Sequence, residues 1–425
     1  MTNILYNKKI LIGITASIAI YKSLELIRLF IKSGAKVKVV MSEEAKKFIS
    51  PLTFEAISQN RVLHQGSEDW GGDLNHIDTG KWADLFVIAP ATANTINKLS
   101  NGIADNLLLQ TALAYDRVKI IAPAANTRMF ENPITQTSLK MLKLINYKII
   151  EPQTKLLACN DEGKGALADV KDIFYKCARE LLKESFWENR KVVVSGGGTV
   201  EKIDSVRFIS NFSSGKMAKS LSLALYLKGA SVCLVTTKVF DDLPNEIHTI
   251  DVENSEEMQE YLTDCIRSAK KGVLTKPTLM DSSNPELIQK KPYLFMAAAV
   301  SDYLPKFPQE GKIKKEQIGD EWNLVLKKNR DILKSLDKSG IICVGFKAET
   351  DENEAIKNAQ NMLKEKKLDA VCLNVLGEKN GFGSDLNEIN FITKKDFVKL
   401  PLGDKLSISF RITKEAKRLD ANSDQ

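Results

Sequence analysis

Apolar residues along this 425-residue chain fall into two rhythms: short unbroken runs that read as buried strands, and longer stretches spaced at helical intervals. From Lys9 to Ile14 the run KILIGI is the first strand. Ile20, Leu24, Ile27 and Phe30 then recur on one helical face between Ser17 and Ser33, and Gly34 stops that helix. KVKVVMS follows as a second strand, so the chain opens with the strand, helix, strand unit that builds parallel sheets. Further runs at DLFVIAP, at VKIIAPA and near YKIIEP extend this into a doubly wound parallel α/β sheet of flavodoxin or Rossmann type. Functional loops are expected at its strand C-terminal ends.

A charged helix spans Asp169 to Glu184, and after SFWENRK the run KVVVSGGGT is again a strand entering a glycine turn. The helix KMAKSLSLALYLKGA and the strand SVCLVTT repeat the logic, which predicts a second Rossmann-like α/β domain. The division is expected near Glu188, giving domains of residues 1–188 and 189–425. Lys270 to Lys291, with two prolines, reads as a surface insertion before the strand YLFMAAAV, and the polar end LDANSDQ reads as frayed.

Composition narrows the class. A chain of this length suits two domains, and 43% hydrophobic with 27% charged residues suits two buried cores. The net charge of +7 comes from lysines scattered among glutamates, which reads as a solvated surface and argues against nucleic acid; it also suits phosphate-bearing metabolites. Cys159, Cys177, Cys233, Cys265, Cys343 and Cys372 are widely spaced with no CxxC pair, against a disulfide framework or a structural zinc site. The start lacks a signal-peptide pattern, and no apolar run reaches the ~20 residues that span a bilayer. A soluble cytoplasmic protein without membrane contact is expected.

The turn from Gly13 to Ala19, GITASIA, places hydroxyls and backbone amides at a helix start, where an anion is favoured. It lacks the later glycines of GxGxxG, which favours a mononucleotide such as FMN over NAD; an ordinary helix cap fits the same residues. The stretch from Tyr21 to Ala91, His76 before GKWAD, the APATAN loop, PAAN and ACNDEGKG together resemble the FMN-dependent cysteine decarboxylase family over residues 1–185, most closely those acting on phosphopantothenoylcysteine. The resemblance implies that FMN oxidises the substrate thiol to a thioaldehyde, so that CO2 can leave, and that the electrons then return. It implies His76 as the base of the oxidative half and Cys159 as the acid that protonates the enethiolate. Asn126 would bind the substrate carboxylate or amide, and Gly13, Thr15, Ser17, Ser42, Thr92 and Asn94 would hold the flavin. Taken alone, His76 reads as a surface histidine. Cys159 stands in a polar, glycine-rich loop, unlike Cys233, Cys343 and Cys372 in apolar strands, which suits a reactive thiol. Ala125 and Ala166 depart from the methionine and arginine usual in the family.

From Val192 onward the motifs SGGGTVEKIDSVRFISNFSSGKMAKS, MAAAVSDY, GKIKKE, LKKNRDIL, VGFKAET and NGFGSD resemble the bacterial phosphopantothenate–cysteine ligase domain, which uses CTP. Ser213, Ser214, Gly215 and Lys216 stand at a helix start suited to an anion. This is not a Walker A loop, because Ser210 takes the place of its first glycine. The resemblance implies activation of a carboxylate by CMP transfer, with Asn211 holding the acyl cytidylate and Lys312 supporting attack by the cysteine amine. Asp302 would meet the cytosine or a bound cation, here Mg2+. Ala298, Asp331, Ile332, Phe346 and Lys366 would line the nucleotide pocket, and Arg207 would meet the substrate phosphate. The blander readings are a solvated KIKK run for Lys312 and simple packing for Phe346. Arg330, Lys347 and Met362 depart from the residues usual there.

The resulting expectation is a two-step enzyme that joins 4'-phosphopantothenate to L-cysteine with CTP and then decarboxylates the product. The alternatives are decarboxylation of another cysteine-ended substrate, and a catalytically silent binding homologue. The family also implies a homo-oligomer built on trimers, up to a dodecamer, with ligase-domain dimers.

Overall fold

The computed structural model describes residues 3–156, 162–274, 286–314, 321–377, 381 and 383–421. Six parallel strands form the N-terminal sheet: β1 (Lys9–Ile14), β2 (Lys36–Met41), β3 (Val62–Leu63), β4 (Leu85–Ala91), β5 (Lys119–Pro123) and β6 (Tyr147–Ile149). They stand in the order 3-2-1-4-5-6, the Rossmann arrangement, with its reversal between β1 and β4. Every residue of β4 is buried, as a central parallel strand covered on both faces requires.

The helices of this half are α1 (Tyr21–Lys32), α2 (Pro51–Ser58), α3 (His76–Trp82), α4 (Ala93–Ser100), α5 (Leu107–Ala114), α6 (Thr127–Glu131), α7 (Pro133–Leu144) and α8 (Val170–Leu182). On one side α1 meets α8 through Phe30 and Phe174, whose rings lie 5.5 Å apart. On the other, Leu11, Phe86 and Ile88 of the sheet pack with Ile96, Leu108, Leu139 and Leu142 from α4, α5 and α7. The helix expected from Ser17 begins as a 3-10 turn, Ile18–Ile20, before α1. An antiparallel hairpin, β7 (Gln153–Leu156) with β8 (Glu162–Ala166), follows the sheet.

One compact unit ends at Leu182 and the other begins at Lys183. The second has an eight-stranded sheet. Its strands are β9 (Lys191–Gly196), β12 (Ser231–Thr236), β13 (His248–Asp251), β16 (Tyr293–Met296), β19 (Ile342–Glu349), β20 (Ala370–Val375), β21 (Leu386–Thr393) and β22 (Phe397–Asp404). The order is 13-12-9-16-19-20-21-22, with the first six parallel, β21 antiparallel to β20, and β22 antiparallel to β21. Small antiparallel pairs join β10 (Val200–Lys202) to β11 (Phe208–Ser210), β14 (Val273–Leu274) to β15 (Leu287–Ile288), and β17 (Tyr303–Pro305) to β18 (Leu326–Lys328). Its helices are α9 (Lys216–Leu227), α10 (Ser255–Ala269), α11 (Ile332–Ser335), α12 (Glu352–Glu365) and α13 (Lys405–Ala421). Trp187 is fully buried, edge-on to Tyr293 at 5.0 Å and to Phe186 at 4.9 Å, so SFWENRK seals the second core. No described helix is long and apolar enough to cross a membrane.

Candidate functional site

A cavity of about 900 Å³ lies at the C-terminal ends of β1, β2, β4 and β5, and Thr15, Ser17, Ser42, Thr92, Asn94 and Asn126 all line it. It sits at the strand-order reversal, where open α/β sheets bind ligands, and its size suits an enclosed small cofactor. Thr15, Ser42 and Thr92 stand directly after β1, β2 and β4, and Asn126 opens the segment after β5. Ser17 accepts from the Ala19 N–H at 3.3 Å, Thr92 caps α4 by accepting from Thr95 N–H at 3.3 Å, and Asn126 caps α6 through Arg128 N–H at 2.9 Å. Thr15 is tied differently: its hydroxyl donates to Pro90 O at 2.7 Å and accepts from Thr92 N–H at 3.1 Å, locking the loops after β1 and β4 together. Gly13 does not line the cavity. It lies within β1, where a Cβ would stand 3.0 Å from the Phe86 ring and 3.1 Å from Ile88, so its smallness serves packing of the sheet.

The cavity also has walls that sequence reasoning passed over. Asn106 caps α5 by accepting from Leu109 N–H at 3.1 Å and lines the cavity with Lys22, Lys98 and Lys155; an asparagine directly before the apolar run LLLQTALA was the available signal. Lys98 is paired with Asp105 at 2.5 Å, and that hydrogen bond holds the Asp105 carboxyl below the usual carboxylate range. Ala125 and Ala166 stand in the same wall.

His76 is not among the residues that line this cavity. It opens α3, which packs on α5, and its Nδ1 lies 2.8 Å from Glu68 Oε1. Cys159 lies outside the described residues.

In the second half the reversal falls between β9 and β16, and a run of three glycines begins with Gly196, the last residue of β9, and continues through Gly197 and Gly198. A Cβ on Gly196 would overlap Ala218 of α9, and one on Gly198 would overlap the Asn211 carbonyl. Gly197 has φ +81 and Gly215, which caps α9, has φ +70, conformations glycine adopts without strain. These residues let α9 and the chain before it close onto the end of β9. The loop after β16 is stitched to the glycine turn by Ala298 N–H to Ser195 Oγ at 3.2 Å and Ala299 N–H to Gly197 O at 2.8 Å. Asn211 Nδ2 donates to Val300 O at 2.9 Å, which joins it to the same loop. Lys216 Nζ contacts Asp385 Oδ1 at 2.6 Å and Gly383 O at 3.0 Å, so the cation at the helix start is neutralised by a carboxylate of the chain.

Lys312 is exposed, and its segment is clamped by a buried carboxylate. Asp204, 2% exposed, accepts from Val206 N–H at 2.8 Å, Arg207 N–H at 2.7 Å, Ile313 N–H at 3.2 Å and the Arg207 guanidinium at 2.6 and 3.0 Å. Burial alone would raise the Asp204 carboxyl; the Val206 amide, the guanidinium and the other amides outweigh it and hold it well below the carboxylate range. Arg207 also donates to Ile313 O at 2.8 Å and stacks on Trp322 at 4.5 Å. The guanidinium anticipated for a substrate phosphate is therefore engaged in fastening the Lys312 segment.

Asp331 caps α11 through Lys334 N–H at 2.9 Å and pairs with Lys366 at 2.9 Å. Burial opposes its ionisation, but the Lys366 ammonium and the Lys334 amide prevail and lower its carboxyl. Ile332 is 2% exposed and belongs to the core, so only its backbone can face a ligand. Phe346 is half-buried on β19 beside Cys372 of β20. Asp302 is exposed, and its carbonyl accepts from Asn329 N–H at 2.7 Å. Among the described residues no group of three or more His, Cys, Asp or Glu is disposed to hold a metal ion.

Fold and sites together define a two-domain α/β enzyme, a flavoprotein half joined to a second Rossmann-like half. Residues 2–182 match the Flavoprotein family, and residues 187–277 and 273–419 match the DNA/pantothenate metabolism flavoprotein C-terminal domain. The coenzyme A biosynthesis bifunctional protein of Bacillus subtilis (strain 168) is 36% identical, over 98% of this chain and 98% of its own. That of Borreliella burgdorferi is 34% identical, over 96% of this chain and 98% of its own. The crystal structure of the C-terminal domain of such a bifunctional protein is 25% identical, covering 56% of this chain and 98% of its own, with a TM-score of 0.42. The chain belongs to the family of bifunctional coenzyme A biosynthesis enzymes, with a decarboxylase and a phosphopantothenate–cysteine ligase on one polypeptide.

Proposed function

We propose that the second half joins 4'-phosphopantothenate to L-cysteine with CTP, and that the first half decarboxylates the 4'-phosphopantothenoylcysteine so formed to 4'-phosphopantetheine with FMN. What carries this reading is the convergence of hydroxyl and amide residues on one cavity at the strand reversal of the first half.

In the ligase half, the phosphopantothenate carboxylate attacks the α-phosphorus of CTP and pyrophosphate leaves. The cysteine amine then attacks the activated carbonyl and CMP leaves. Asn211 holds the acyl cytidylate, and Lys312, on the segment fastened by Asp204, stabilises the charge that develops during amine attack. Ser213 to Lys216, Ala298, Asp331, the Ile332 backbone, Phe346 and Lys366 surround the nucleotide, which must displace Asp385 from Lys216. Arg207 remains a candidate for the substrate phosphate if that pairing opens. A single carboxylate, Asp302, suits Mg2+, which takes most of its remaining ligands from substrate phosphates and water.

In the decarboxylase half, FMN supplies the electron sink that lets the carboxylate leave as CO2. The polar donors present fit it: the backbone from Thr15 to Ala19 and Ser42 receive its phosphate, while Thr92 and Asn94 meet its polar edges. Asn126 orients the substrate carboxylate or amide, His76 takes the thiol proton, and Cys159 delivers a proton to the enethiolate. Because His76 lies off the cavity of its own chain, we infer a trimer-based homo-oligomer in which a neighbouring copy completes each site. We place the enzyme in the cytoplasm, where its described cysteines stay free thiols.

The test is to supply phosphopantothenate, cysteine and CTP to the yellow holoprotein and follow product mass. Pyrophosphate should appear only when CTP and phosphopantothenate are both present, and the cysteine adduct should then lose CO2. Absence of bound FMN, or decarboxylation of cysteine-ended peptides in preference to the adduct, would overturn the reading.

A further inference from the structure

Glu68 precedes α3 and belongs to no helix or strand, yet its position is fixed on both sides. Before it, Ser67 Oγ contacts Val62 O and His64 O, each at 3.0 Å, and accepts from His64 N–H at 2.8 Å. After it, Asp69 N–H donates to Leu74 O at 2.9 Å, and Asp69 Oδ1 accepts from Gly71 N–H at 3.0 Å. Asn75 then caps α3 through Ile77 and Asp78 N–H at 3.1 and 2.8 Å. The loop so closed returns Glu68 Oε1 to 2.8 Å from His76 Nδ1 and 3.4 Å from the His76 N–H. Trp70 stands edge-on to the imidazole at 5.4 Å, and the side chains of His76 and Glu68 are only 21% and 24% exposed.

An ionised carboxylate only accepts, so the imidazole nitrogen facing it must carry the hydrogen. We propose that Glu68 is the positioning residue for His76: it fixes the Nδ1–H tautomer and ring orientation, and so presents the lone pair of Nε2 as the base. When Nε2 takes the thiol proton, the Nδ1–H bond to Glu68 persists as a bond between opposite charges. This rests on the reading of His76 as the decarboxylation base.

Two readouts test it in the full-length holoprotein. The chain has three histidines, so ring-15N magic-angle-spinning NMR can follow His76 once His64 and His248 are assigned by substitution. The wild type should show His76 protonated at Nδ1, and Glu68→Gln should shift it toward Nε2–H. Decarboxylation kcat should fall about 10–100-fold, as when the partner of a functional histidine is removed, with KM nearly unchanged and partial recovery in Glu68→Asp. Flavin content and pyrophosphate release should stay at wild-type levels in every variant, which establishes folding. An unchanged tautomer together with kcat within about twofold of wild type would overturn the proposal for Glu68. His76→Asn separates the two claims: if it retains decarboxylation, the role of His76 itself is wrong, whereas if it abolishes turnover and Glu68→Gln does not, only Glu68 has been misassigned.

Discussion

The hydroxyl of Thr15, 1% exposed, serves Pro90 O and Thr92 N–H across 75 and 77 positions of sequence. Its type and its place after a strand pointed to the flavin, but partners so distant are invisible without the fold. Thr15→Val should strand a buried carbonyl and amide and lower stability of the first half by about 1–3 kcal/mol, read by urea denaturation, with loss of bound flavin. Asp204 went unnoticed in the sequence for the same reason, since the Ile313 amide it receives lies 109 positions away. Its carboxyl is held below the ordinary value in the fold, so its contribution is complete above about pH 4 and is lost as the solution is acidified below that. Asp204→Asn should therefore destabilise the second half at neutral pH, and the gap to wild type should begin to narrow only as the pH falls below about 4. Denaturation curves across that range check the sign, and a gap that widens on acidification would refute it.

Glycine 196 has negative-φ strand geometry and is needed for contact, since a methyl group there would meet Ala218 on α9. Gly196→Ala should cost about 1–3 kcal/mol by overpacking and depress pyrophosphate release while leaving decarboxylation intact; parallel assays decide. The run KVVVSGGGT announced a strand and a turn, yet the close approach of α9 depends on a residue 22 positions later. Long buried runs such as LFVIAPA declared themselves because period and length agree. α3 did not, because HIDTGKW is seven residues long and shows no settled period. Strand order was also hidden: hydrophobic runs say that a parallel sheet forms, and only pairing places β1 beside β4.

Each half carries its own core, the condition for folding alone. The division anticipated after Glu188 cuts through the cluster of Phe186, Trp187 and Tyr293. A C-terminal fragment beginning at Lys183 should fold and release pyrophosphate, whereas one beginning at Asn189 lacks the buried Trp187 and should be weaker by about 3–5 kcal/mol. Thermal melts of the two fragments compare them, and equal melting temperatures would show the indole to be dispensable. The separation of His76 from the cavity that holds Asn126 reaches further, into how defective subunits behave in company. If each reaction centre draws its imidazole from one polypeptide and its amide from the next, His76→Asn and Asn126→Asp proteins, each inactive, should rescue one another after joint unfolding and reassembly. Random mixing in equal amounts would leave roughly one centre in four with both groups intact, so a blend of two dead preparations would turn over at about a quarter of the native rate.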